Sequence, residues 1–148
     1  MLEALTIFSS DRQGRVCLTP LEFELDHYPS VQLDIAASDG LYSVESDSVW
    51  VPAEDLSAFI AALRSLERTR TGECSLRGSS PDRFFLRFFF HRPVTSLALG
   101  LDLHSHSYRE DERPWHRRLS LEFPLDQSFF HEWLSWFAQL ERLCASPQ

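Results

Sequence analysis

The chain has 148 residues, 43% of them hydrophobic and 24% charged, with a formal net charge of −8, which is the size and make-up of one globular domain spanning residues 1–148. No apolar run approaches the roughly 20 residues a membrane helix needs, no basic residue precedes an apolar stretch near Met1 as a signal peptide requires, and the acidity argues against nucleic acid as a partner. Cys17, Cys74 and Cys144 are odd in number and unpaired in spacing, which fits buried thiols in a reducing, cytoplasmic setting rather than a disulfide framework.

In chain order, Leu2 to Phe8 is a short apolar start, followed by a turn from Ser9 to Gly14. Leu21 to Asp26 alternates strictly between apolar and acidic residues, the period-2 mark of a half-buried strand; Thr19-Pro20 just before it suggests an edge position or a bulge. Val31 to Ile35 alternates again, and Ser38-Asp39-Gly40 turns the chain into a third run, Leu41 to Val51. A helix follows, opened by Pro52 with Glu54 and Asp55 near its positive end. Its apolar stripe is Leu56, Phe59, Ile60, Leu63 and Leu66, and Gly72 lies near its stop.

Strands resume after Gly78 to Asp82. Arg83 to Arg92 carries five phenylalanines and is expected to be central and covered on both faces. Val94 to His104 sets Leu97, Leu99, Leu101 and Leu103 on one face, Ser105 to Pro114 is polar enough to be a loop, and Trp115 to Leu125 alternates. A final helix runs from about Gln127 to Ala145, capped by Asp126. Phe129, Phe130, Trp133, Trp136, Phe137, Leu140 and Leu143 form its wide apolar face. The expected fold is α+β, a six- or seven-stranded antiparallel sheet in the order β-β-β-α-β-β-β-α with two amphipathic helices packed on it.

Charge is unevenly spread. All 14 basic residues are Arg; the absence of Lys and Asn and the scarcity of Ile point to a GC-rich, bacterial coding sequence. From Val16 to Leu63 there is no Arg, and nine carboxylates fall in that span. Glu22, Glu24 and Asp26 are two apart and share one side of their strand; Asp34 opposes Leu33 and Ile35; Glu45 and Asp47 share a side. If these strands pair as a meander, the six carboxylates form one outward patch, and facing like charges would oppose stability. The patch is either solvated, or neutralised by Arg87, Arg117 or Arg118, or a docking face for a basic protein partner.

Chemistry is harder to find. There is no Gly-x-Ser-x-Gly, no Cys-x-x-Cys, no His-Glu-x-x-His and no phosphate-binding glycine loop, so no cofactor is implied and no catalytic residue is assigned. The alternative to a binding protein is a small metal- or ligand-binding protein or enzyme using Asp102, His104 and His106, which share a side if their strand extends that far. A third possibility is an adaptor or oligomerisation module anchored on Trp133 and Trp136.

Val49-Trp50-Val51 leading into the helix from Ala53 to Leu63, and Leu119 to Leu125 feeding a terminal amphipathic helix, resemble bacterial toxin-immunity proteins of the WapI-like type over roughly residues 40–145. The resemblance implies a small α+β domain that binds and neutralises a cognate toxin without catalysis. It carries no individual site residue across.

Overall fold

The structure, a computed structural model, describes residues 2–80, 82–91, 96–108 and 114–145. Four strands open the chain: β1 (Leu5–Phe8), β2 (Arg15–Glu24), β3 (Ser30–Ser38) and β4 (Ser43–Pro52). Helix α1 (Ala53–Thr69) follows. Then come β5 (Glu73–Arg77), β6 (Phe84–His91), β7 (Ser96–Tyr108) and β8 (Pro114–Pro124), a 3-10 turn (Gln127–Phe129) and α2 (Phe130–Ala145).

The class is α+β as expected, but the strands form two antiparallel sheets rather than one. They are four-stranded meanders in the orders β1-β2-β3-β4 and β5-β6-β7-β8. Each sheet has one apolar face that must be covered by another layer, and the two inner faces join both helix stripes in one core cluster. Two main-chain bonds stitch the sheets together, Ser79 N–H to Trp50 O (2.7 Å) and Ser10 N–H to Pro124 O (2.9 Å). A Cβ on Gly14 would lie only 2.6 Å from the Phe123 ring, so a glycine there lets the first sheet's hairpin approach the second sheet.

Helix α1 begins on Pro52, in extended conformation, with Glu54 and Asp55 in its first turn. All five residues of its expected stripe are buried. It stops at Arg70, which takes the left-handed conformation (φ 57°) and returns its N–H to Leu66 O; Gly72 (φ 87°) follows in the connection to β5. In α2 the buried residues are Phe130, Trp133, Trp136, Phe137, Leu140 and Cys144. Phe129 is 38% exposed, because it belongs to the 3-10 turn that Asp126 caps through Ser128 N–H, one step out of phase with the helix. The helices meet in an aromatic cluster. Phe59 packs on Phe137 (4.9 Å between centroids) and Phe88 (6.0 Å), and Phe88 on Trp133 (5.4 Å). Full burial of one such side chain is worth about 1.5–3 kcal/mol.

Several local expectations change. The strand expected at Leu21 starts six residues earlier, with Val16, Leu18 and Pro20 inward. The register then slips between Pro20 and Glu22, so Leu21 is the extra bulge residue, 43% exposed, and Phe23 turns inward opposite Val31. Pro20 lies just past the last β1 pairing, Leu5 with Leu18, where β2 has an open edge that tolerates a missing N–H. Strand β5, with Cys74 and Leu76 inward, was not anticipated. Strand β6 lies between β5 and β7, as a central strand should, but only its Phe84, Leu86 and Phe88 side is fully buried; among the described residues no second layer covers the other. The expected loop from Ser105 is instead the continuation of β7 to Tyr108 and the start of β8 at Pro114. Residues 109–113 of that expected loop, the expected strand ends at 92 and 94–95, and the expected turn residue 81 lie outside the described residues.

Candidate functional site

The outer face of the first sheet carries three of the six acidic residues singled out from sequence, Glu22, Glu24 and Asp34. Glu22 pairs with Gln32, Glu24 with Ser30, and Asp34 with Thr19 on one side and Ser48 on the other. All of these alternate with inward residues Val31, Leu33 and Ile35, so Glu22, Glu24 and Asp34 look outward together. Each carboxylate faces a neutral polar side chain across the ladder, not another carboxylate, so the expected like-charge repulsion between opposed residues does not arise. Asp34 also accepts a hydrogen bond from Ser46 Oγ. Asp26 lies in the exposed turn after β2, its N–H donating to Glu24 Oε1 at 3.0 Å, and Glu45 is exposed in β4. Among the described residues no ion pair engages Glu22, Glu24, Asp26, Asp34 or Glu45.

Asp47 departs from the set. The register between β3 and β4 shifts between Ile35 and Ala37, and Asp47 pairs with inward-facing Ile35. It therefore sits on the opposite side of the sheet, 16% exposed, in a 3.2 Å ion pair with Arg83. Sequence parity failed here because the irregularity changes which side of the strand a given position faces. The pair lines a cleft of about 410 Å³ between β4 and the β7–β8 ladder, where Arg117 and Arg118 also lie. Arg83 Nε is buried there without a hydrogen-bond partner among the described residues.

The outer face of the second sheet is built differently. Arg87, one of the arginines considered as a neutraliser of the acidic patch, instead reaches Glu122 (2.5 Å) and Glu73 (3.5 Å) on its own sheet. It also covers the Phe89 ring at 4.4 Å, while Arg77 covers Phe85 at 4.3 Å. Gly100 makes room for this: a Cβ there would come within 2.9 Å of Arg87 Nε.

At the far end of the same face, β7 and β8 bring three imidazoles together. His104 and His106 are two apart on β7, and His116 pairs directly with His106 on β8. Asp102, expected as the third member, is hydrogen-bonded by Ser120 Oγ at 2.6 Å; His116 takes its place in the cluster. Sequence reading missed His116 because only the strand register opposes residues ten positions apart. Burial, then Arg118, His116 and His106, hold His104 below the ordinary imidazole value, while Asp82 pulls in the other direction.

Trp133 and Trp136 do not form an exposed anchor. They are 3% and 7% exposed, and Trp136 Nε1 donates to Glu3 O at 2.7 Å. Cys17 is half-buried and the other two cysteines are buried, all three as free thiols. Burial pushes Cys74 up to about 12 and Cys144 to about 11, which removes any thiolate nucleophile from the core. Among the described residues, no helix is long and apolar enough to cross a membrane.

No curated protein and no solved structure matches the chain significantly. The sequence profile of the immunity protein WapI-like family matches residues 6–144, nearly the whole length and both sheets. The chain belongs to the immunity protein WapI-like family.

Proposed function

We propose that the protein binds and neutralises a cognate bacterial toxin, acting by occlusion and not by catalysis, and that the outer face of the first sheet is the surface that engages a basic region of the toxin. The observation that carries the reading is the set Glu22, Glu24 and Asp34, outward on adjacent strands and with no ion pair among the described residues. Asp26 and Glu45 flank it; Asp47, paired with Arg83 on the other side, is left out. Carboxylates without intramolecular cations keep their field for an incoming partner, where charge complementarity accelerates encounter and selects against wrong partners. Free cysteines fit action in a reducing cytoplasm, beside the site of toxin synthesis.

The test is association kinetics with the toxin domain encoded next to this gene. The triple variant Glu22→Lys, Glu24→Lys, Asp34→Lys is expected to slow association by about 10-fold or more at low ionic strength, with the deficit shrinking as salt rises. An unchanged association rate rejects this face. Loss of folding in the variant is checked by its unfolding midpoint, and Asp34→Asn alone then serves as the milder probe.

A further inference from the structure

We propose that His104, His106 and His116 form a binding site for a divalent transition-metal ion of the zinc class, tying β7 to β8 on the outer face of the second sheet.

The geometry comes from the ladder. Side chains two apart on a strand share a face, and an antiparallel partner adds a third directly opposite. One ligand-capable nitrogen from each of the three rings lies within 4.8 Å of the other two. His104 Nε2 and His116 Nδ1 are 2.9 Å apart, and the ring centroids are separated by 5.1 to 6.1 Å. A tetrahedral ion with metal–nitrogen bonds of about 2.0–2.1 Å holds its ligand atoms roughly 3.4 Å apart. Capture therefore asks the His104–His116 pair to part by about half an ångström and the widest nitrogen separation to close by about 1.4 Å, within reach of imidazole rotation.

The donor set defines the class of ion. Three imidazoles with no carboxylate or thiolate suit zinc, copper or nickel and not magnesium or calcium, which take oxygen ligands. Asp102, on the same face, is engaged by Ser120 and is not a ligand. Three protein ligands leave a fourth position for water or for a side chain brought by a partner. Arg118, cross-strand from His104, opposes a cation here, and Asp82 acts in the other direction.

The experiment is calorimetric titration of Zn²⁺ into the full chain, with Co²⁺ absorption as a geometric readout. One ion per chain is expected, with the intense visible bands of tetrahedral Co²⁺. His104→Gln, His106→Gln and His116→Gln should each weaken binding by about 10-fold or more, whereas Asp102→Asn should leave it within about 3-fold. Metal-free thermal unfolding of each variant checks folding, and Co²⁺ spectra of the wild type keep the test decisive if a variant is unstable. Absence of one-to-one binding up to roughly 100 μM free Zn²⁺, an octahedral Co²⁺ spectrum, or wild-type affinity in His116→Gln overturns the site. Toxin association plays no part in these readouts, so the outcome is independent of the acidic face.

Discussion

The two halves of the chain share one plan, a four-stranded meander followed by a helix, and differ in what their outer faces do with charge. On the second sheet, Arg87 bridges Glu73 and Glu122 and lies over Phe89, so opposite charges close on one another within the sheet. On the first, Glu22, Glu24 and Asp34 have only neutral cross-strand neighbours. The inner faces are alike because both answer to the same core. The outer faces are free to differ because a solvated sheet surface constrains stability weakly. An internally paired face leaves little unsatisfied charge for a partner; carboxylates with no cation across the ladder leave more.

Three experiments break or sharpen this contrast. The largest effect concerns what the halves share. Phe88, between Phe59 and Trp133, belongs to the second sheet but packs on both helices. Phe88→Ala is expected to cost about 3–5 kcal/mol in urea denaturation and to retain a single transition; two separated transitions would show that the halves fold independently. A smaller effect separates the outer faces. Arg87→Ala should cost about 1 kcal/mol, since its pairs are partly exposed and screened and its ring contact adds little more. Glu24→Gln should stay within about 0.5 kcal/mol. Equal costs for the two would erase the contrast.

The gentlest is acid titration. Asp11 is held below its usual 3.8 by the Ser9 hydroxyl and then the Gln13 N–H. Asp39 is lowered by the Tyr42 and then the Leu41 N–H, and Asp126 by the Ser128 N–H and then its hydroxyl. A carboxylate with a depressed folded value stabilises the fold above its unfolded value and loses that contribution as pH falls through the folded one. The contribution of these three carboxylates should therefore hold from neutrality to about pH 5 and be lost below about pH 4, while His104, held below its ordinary imidazole value, adds a separate loss as pH falls through the imidazole range. Two of these turns lie in the first half, so Asp11→Asn with Asp39→Asn should flatten the acid limb more than Asp126→Asn does. The reverse order would place acid sensitivity in the second half.

Much of the molecule was legible in the residues. The α1 stripe, the four leucines from Leu97 to Leu103 and the Asp126 cap are period and capping signals that need no distant partner. The signals for β2 before Leu21 and for β5 were present as Val16, Leu18 and Cys74, Leu76, but each is too short an alternation to stand out. Trp133 and Trp136 follow the helical period whether the face is core or interface, so periodicity alone left their role open. Asp47 illustrates the opposite failure: an irregular ladder reversed a side that counting by twos assigned with apparent ease.

From its residues alone the chain specified its α+β class, its two amphipathic helices and an arginine-free acidic stretch from Val16 to Leu63, because propensity, periodicity and formal charge are local properties. Tertiary structure decided that the strands divide into two sheets, that Asp47 turns to Arg83, and that His116 rather than Asp102 joins His104 and His106. Those outcomes depend on register, which is set by bulges and by burial against another layer, and register relates residues whose separation along the chain carries no trace of their meeting.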